Sequence, residues 1–373
     1  MHLTRLISRL CLCAFLGGCA TGSPPTGPAG ESPQPGVPPG ATARVAPVAE
    51  FRVAAVGDIM LGGTATPELQ KLGYDYPFEQ VRDILKQAPI VFGNLEGPLT
   101  DGGEPIQNKK YIFRSPPDKV APALARSGFN VVSLANNHSM DYGVQGLEDT
   151  RAALEKNRIR PVGAGKNLAE ARAPVYMKAG PATVAFLAYS LTFPEEFWAA
   201  PDKPGTAFGH EDSVRADVAA ARKKADVVIV SFHWGQEGKT ELRDYQVQLA
   251  HAAIDEGAAA VLGHHPHVVQ AVEHYKDGVI LYSLGNFTFG SYSKAATRSV
   301  IALLTFRDGR VRELRLTPID VNNVEVVFQP RLLIGPDAAQ EVEEIGQLSR
   351  ERGTALETRD AAAVLTLADR SGT

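Results

Sequence analysis

From Phe51 onward, short apolar runs alternate with longer stretches whose apolar residues recur every three or four positions. FRVAAVGD, PIVFGNLE, FNVVSLANN, ATVAFLAYS, DVVIVSFHWG, AAVLGHH and GVILYSLGNF are apolar at consecutive positions. That pattern predicts strands buried on both faces. Between them FEQVRDILKQA, PDKVAPALARSG, GVQGLEDTRAALEKN, SVRADVAAARKKA and RDYQVQLAHAAIDEG carry the helical period, and Gly128 and Gly257 stand where left-handed caps are expected. Strand–helix alternation predicts an α/β layered fold. Later, SVIALLTFRDGRVRELRLTPIDV predicts a hairpin turning at Asp308-Gly309, and DAAQEVEEIGQLSRERG a polar amphipathic helix at the rim.

The N-terminal pattern differs. Arg5 and Arg9 precede the apolar run LCLCAFL, which is too short to span a bilayer and predicts a signal peptide. Leu16-Gly17-Gly18-Cys19 resembles a bacterial lipobox, so residues 1–19 are expected to be a lipoprotein signal with Cys19 the lipidated residue. Ala20 rather than Asp after Cys19 favours the outer membrane in a Gram-negative host, so the periplasmic face of the outer membrane or the cell surface is the expected location. Residues 20–50 are rich in Pro, Gly, Ser and Thr and predict a disordered tether. The expected folded domain is 51–322, with a partly helical extension over 323–373 packing on it.

Composition narrows the partners. All three cysteines, Cys11, Cys13 and Cys19, lie in the signal segment, so the mature domain offers neither disulfide nor thiol nucleophile. A net charge of -4 leaves no broad basic face, so nucleic acid is not an expected partner.

Five of the predicted strands end on residues able to hold a metal: Asp58, Glu96, Asn137 with His138, His233, and the cluster His264, His265 and His267. Singly, each reads as well as a turn, a cap or a solvated loop residue. Recurring at successive strand ends, they predict one convergent site, because ligands of α/β sheets bind outside the carboxyl ends of strands. Imidazole and carboxylate without thiolate suit one or two divalent transition ions such as Mn, Zn or Fe. In an extended segment His265 and His267 would point the same way and His264 away.

GDIMLGG, NLEGPLT, YIFRSPP, ANNHSMDYG, HWGQE, GHHPHVVQ and YSLGNF together resemble the CapA family over roughly Phe51 to Asp320. These are bacterial capsule and poly-γ-glutamate biosynthesis proteins with a calcineurin-like metallophosphatase fold. The resemblance implies a four-layer αββα sandwich of the metallo-dependent phosphatase type. By motif, Asp58 and His267 would bind a first metal, Asn137, His233 and His265 a second, and Glu96 would bridge them. His138 would act as general acid or electrostatic catalyst.

Two departures accompany the resemblance. Metallophosphatases begin with Asp-x-His, whereas this chain has Asp58-Ile59-Met60, and the bridging carboxylate is Glu96 in place of an Asp. Arg114 reads equally as an anion contact or a structural ion pair. Asn286 could line the cleft or cap a turn, while Asp141 and Glu237 could orient ligands from behind or face a turn and solvent. Lys109 and Lys110 are expected on a solvated loop face. The resulting expectation is a lipid-anchored metal-dependent hydrolase of capsule or anionic exopolymer biosynthesis. Its substrate would be an anionic polymer or phosphoester, with capsule ligase or export proteins as partners. The alternatives are a non-catalytic polymer-binding or export factor and a phosphodiesterase unrelated to capsules.

Overall fold

The computed structural model describes residues 50–368; the predicted signal segment, Cys19 and the predicted tether up to residue 49 lie outside them. Two sheets stack face to face. In spatial order the first runs Glu357–Arg359, Ala362–Thr366, Arg310–Asp320, Arg298–Arg307, Phe51–Met60, Ile90–Leu95, Val131–Ser133 and Arg160–Val162, with Asn286–Phe289 also paired to Phe51–Met60. The second runs Val272–Tyr275, Gly278–Leu281, Ala260–His264, Val227–His233, Ala182–Ser190 and Val175–Ala179.

Three apolar layers hold this arrangement. Between the sheets, Val53, Phe92 and Leu304 of the first meet Phe186, Ile229 and Leu262 of the second. Phe92 stacks on Phe186 across the gap, 5.6 Å between ring centres. Truncating such a side chain to alanine costs about 3–5 kcal/mol. Outside the first sheet, the helices Pro117–Arg126 and Gly143–Lys156 bury Val120, Leu124, Leu147 and Leu154. Outside the second, Glu211–Arg222 and Asp244–Asp255 bury Val214, Val218, Leu249 and Ile254. The layers are therefore helix, sheet, sheet, helix, a four-layer αββα sandwich. Among the described residues, no helix is long and apolar enough to cross a membrane.

Several local expectations are met for the reasons that motivated them. Gly128 and Gly257 adopt φ of 102° and 103° beyond their helices, and Asp308 and Gly309 both have positive φ in the hairpin turn. Others differ. Residues 78–88 form only a single helical turn at Arg82–Leu85. The run GVILYSLGNF is two strands in different sheets, broken at Tyr282–Gly285. The C-terminal residues supply three strands of the first sheet, Arg331–Leu332 among them, as well as a helix, Gly335–Arg350, whose Val342 and Ile345 reach into the layer between the sheets.

Glu341 lies buried on that helix, and burial pushes its carboxyl up to about 7, with Glu344 adding repulsion. Its folded value lies above the unfolded one, so the protonated form stabilises the fold. That contribution is complete below about pH 4 and is lost as pH rises through 7. Glu341→Gln is expected to raise the melting temperature by a few degrees at pH 8, on the order of 3 kcal/mol, and to leave it unchanged near pH 4. Melting curves at the two pH values check this.

Candidate metal centre

The parallel strands Phe51–Met60, Ile90–Leu95 and Val131–Ser133 of one sheet, and Val227–His233 and Ala260–His264 of the other, carry the predicted ligand residues at or just past their carboxyl ends. Asp58 and Glu96 are wholly buried there. Asp58 accepts a hydrogen bond from Asn94 Nδ2 at 2.9 Å through Oδ1, and one from the His265 backbone N–H at 3.2 Å through Oδ2. Its Oδ2 lies 3.1 Å from His267 Nδ1. Glu96 Oε1 lies 3.6 Å from His233 Nε2 and 3.9 Å from His267 Nε2. Asn137 Oδ1 lies 2.8 Å from His233 Nε2, and the His233 and His265 rings are 4.7 Å apart.

The donor atoms gather into small groups. Glu96, His233 and His265 form one set of ligand atoms within 4.8 Å of one another, and Asp58, Glu96 and His267 form another. Glu96 belongs to both. A donor set of this kind fits divalent cations, and one observation favours them in particular. Glu96 Oε1 and His265 Nδ1 are buried without hydrogen-bond partners. A polar atom left so costs about 1–3 kcal/mol, and a charged one more, whereas a cation would satisfy both.

The electrostatics follow from crowding without water. Burial pushes the Glu96 carboxyl well above its ordinary range, and the charge of Asp58 adds to this. Burial pushes Asp58 up too, but contacts with His264 and His267 outweigh it and hold the group well below the usual range. Burial takes His265 down to about 3, helped by the charge of His267. His267 resists burial because Glu96 and Asp58 face it, and rises to about 9.

Beside the cluster, His138 Nδ1 lies 2.7 Å from Asp141 Oδ2, and its ring packs on Phe113 at 4.5 Å. Asp141 also accepts from the Phe113 backbone N–H at 2.8 Å. It thus orients His138 and ties down the loop before Pro117, so it is more than a turn residue. Lys109 departs from expectation. Its ammonium is largely buried, bonded to the Asn137 carbonyl and Asp141 Oδ1 and 3.0 Å from His138 Nδ1. The carboxylate at Asp141 draws it in, so only Lys110 stays on the solvated face, beside Tyr111.

The histidine segment also differs. Residues 265–267 are not extended: His265 and His267 have φ of 94° and 61° around Pro266. Both rings still face the cluster, 5.9 Å apart, because the turn re-aims them. His264 ends its strand fully buried with Nδ1 3.5 Å from Asp58 Oδ1, so it approaches the site rather than pointing away. Asn286 lies in a strand paired to Phe51–Met60, and its Oδ1 sits 2.9 Å from His267 Nδ1. It lines the cleft and contacts a candidate ligand residue instead of capping a turn. Arg114 is exposed with its guanidinium 4.8 Å over the Tyr142 ring. Met60 Sδ accepts from the Gly62 backbone N–H at 3.2 Å, so its sulfur is engaged locally.

Two asparagines complete the site without having been singled out in the sequence. Asn94 bonds Asp58 and lies 3.3 Å from His233 Nδ1, bridging the two sheets. Asn136 donates to Asn94 Oδ1 at 3.1 Å and accepts from the His138 N–H at 3.0 Å. The available signal was strand alternation, which puts Asn94 on the same face as Glu96 two residues on.

The sequence model of the family described as bacterial capsule synthesis protein PGA_cap matches residues 52–291, well over half of the chain. The chain belongs to that family. Within it, the chain is 35% identical over 268 residues to the PGA biosynthesis protein CapA of Bacillus subtilis, covering 72% of this chain and 70% of that one. It is also 35% identical over 272 residues to the capsule biosynthesis protein CapA of Bacillus anthracis, covering 71% and 66%. Among solved structures it is similar to a phosphatase from Mycoplasma pneumoniae at 14% identity and a TM-score of 0.48, covering 76% of this chain and 98% of that one. The PGA_cap match contains all the candidate metal-donor residues named above, from Asp58 to His267.

Proposed function

We propose that this protein is a lipid-anchored, metal-dependent hydrolase that acts on an anionic polymer during capsule or poly-γ-glutamate biosynthesis. The observation that carries the reading is the pair of partnerless buried atoms, Glu96 Oε1 and His265 Nδ1, set among imidazoles beside an oriented His138. His138 and His267 line a cavity of about 570 Å³ whose walls include Tyr111, Phe113, Phe289 and Tyr292. Such a cleft can hold a length of polymer against the donor cluster.

Asp58, Glu96 and His267 would hold one ion, and Glu96, Asn137, His233 and His265 the other. Mn, Zn or Fe bound there would supply Lewis acidity and ease deprotonation of a coordinated water. The protein's own residues do the rest. Asn94 fixes Asp58 relative to His233, and Asn286 fixes His267. Asp141 accepts from His138 Nδ1 and is itself paired with Lys109, which leaves Nε2, when protonated, to hand a proton to the leaving group. The names of the Bacillus relatives, PGA and capsule biosynthesis proteins, support a glutamyl polymer as the substrate class; capsule ligase or export proteins would then be the partners. Lipidation at Cys19 would keep the domain at the envelope surface, on the outer membrane where the host has one.

Mass spectrometry of products decides the chemistry, with Mn²⁺- or Zn²⁺-loaded protein given poly-γ-glutamate and a phosphodiester panel. Cleavage of the polymer that is lost in His138→Asn is the expected result. Polymer binding without cleavage would make the protein a binding or export factor, and cleavage of phosphodiesters alone would make it a phosphodiesterase outside capsule metabolism. Palmitate labelling that persists in Cys19→Ser would remove the lipid anchor from the reading.

A further inference from the structure

We propose that Glu237 is a ligand of the metal centre, a third carboxylate on its solvent side. This inference rests on the metal reading and extends its donor set. A Glu237 carboxylate oxygen and ring nitrogens of His265 and His267 lie within 4.8 Å of one another. Through His265 this set adjoins the group of Glu96 and His233, and through His267 the group of Asp58 and Glu96. Glu96 therefore joins the two groups from the buried side, and Glu237 joins them from the cavity, whose wall it shares with His138 and His267.

Exposure alone would make such a carboxylate an incidental neighbour, but the backbone argues otherwise. Glu237 stands between Gly235 and Gly238, with φ of 87° and 68°. The Gly238 N–H donates to the carbonyl of Pro266 at 2.8 Å, the residue between the two histidines. The Gly235 N–H donates to Tyr245 Oη at 2.7 Å, and Gln270 donates to the Lys239 carbonyl at 3.0 Å. The loop is thus held on both sides of Glu237, to the helix Asp244–Asp255 before it and to the histidine turn and Gln270 after it. The second, independent observation is His265 itself, 8% exposed, whose Nδ1 has no hydrogen-bond partner.

Glu237 also answers a deficit. Met60 stands where metallophosphatases place a histidine, and its sulfur is occupied by the Gly62 N–H. Asp58, Glu96 and His267 alone leave the first ion few protein donors. A third carboxylate adds oxygen and negative charge, which favours a harder ion such as Mn²⁺ over Zn²⁺.

The test is titration calorimetry of metal-stripped full-length protein with Mn²⁺ and with Zn²⁺, comparing wild type, Glu237→Gln, His265→Ala and Glu241→Gln. Glu241 is exposed on the same loop and serves as the control. Glu237→Gln is expected to weaken Mn²⁺ binding about tenfold or more and Zn²⁺ binding less, with Glu241→Gln unchanged. If Glu237→Gln binds Mn²⁺ within about twofold of wild type while His265→Ala loses it, Glu237 is not a ligand and the buried centre stands. If wild type binds neither ion, both this inference and the metal reading fall. Because the Glu237 side chain is exposed, circular dichroism should show an unchanged fold in the variant.

Discussion

Glu96→Gln is expected to raise the stability of the protein in chelator and to abolish its stabilisation by divalent cations. Glu96 is fully buried, one of its oxygens has no hydrogen-bond partner, and the charge of Asp58 opposes its own. Burying a carboxylate without a cation or a full set of donors is costly, and an amide of the same shape removes the charge. In chelator at pH 8 the variant should gain about 2 kcal/mol. Added Mn²⁺ should reverse the order. A ligand at a thousandfold its Kd stabilises the wild type by about 4 kcal/mol, and the variant, lacking the shared carboxylate, should barely respond. Thermal melts with and without metal test both halves. The assignment of Glu96 as the shared ligand fails if the variant is stabilised by metal as much as wild type, or melts lower in chelator. Such a site illustrates how a functional constellation is held at the expense of the metal-free fold.

The location of the site was legible because two simple patterns coincide. Apolar runs mark strands, and a ligand-type residue at the end of five of them marks the edge at which the strands converge. Asp58, Glu96, His233 and His265 follow from that logic alone, while their grouping around one or two ions came with the family resemblance. What sequence could not supply was the path of irregular backbone. Lys109 sits in Gln107-Asn108-Lys109-Lys110, a polar loop with no period. It turns inward only because Asp141 captures the loop through the Phe113 and Lys109 contacts, an interaction 28 and 32 residues distant in the chain. The histidine turn eluded the rule of alternation for a similar reason. That rule holds where φ and ψ are extended, and here φ turns positive at His265 and again at His267. The edge strands Val175–Ala179 and Glu357–Arg359 were hidden because they are partly or wholly exposed and short, and so lack the apolar run that betrays a buried strand.

Gly263→Ala is expected to cost about 3 kcal/mol or more and to strip the protein of metal affinity. Gly263 precedes the histidine turn, and its φ is not in the left-handed region, so the constraint is space. A β-carbon at this position would lie 1.8 Å from the Tyr282 carbonyl oxygen and 2.8 Å from Trp234 Nε1. Those atoms are already bonded, since the indole donates to that carbonyl at 2.8 Å, and the Gly263 carbonyl accepts from the Leu284 N–H at 3.1 Å. The obstacle is backbone and a buried Trp, neither of which yields as the end of a flexible side chain does. Relief requires moving the segment that runs from Tyr282 to Asn286, and with it the oxygen that positions His267. The opposite sheet uses the same device at Gly57, just before Asp58, where a β-carbon would lie 1.8 Å from the Gly285 carbonyl oxygen. That carbonyl accepts the Asp58 N–H at 3.0 Å. One connecting segment is therefore wedged against both sheets immediately before their ligands, which fixes the spacing between Asp58 and the histidines. Gly346→Ala is the matched control: it lies in a helix, meets only the end of the Arg350 side chain, and should gain up to about 1 kcal/mol from helix propensity. Urea denaturation and Mn²⁺ titration of the two variants separate the cases. A Gly263→Ala protein that matches wild type in both would show that close packing behind the ligands is not what sets the site.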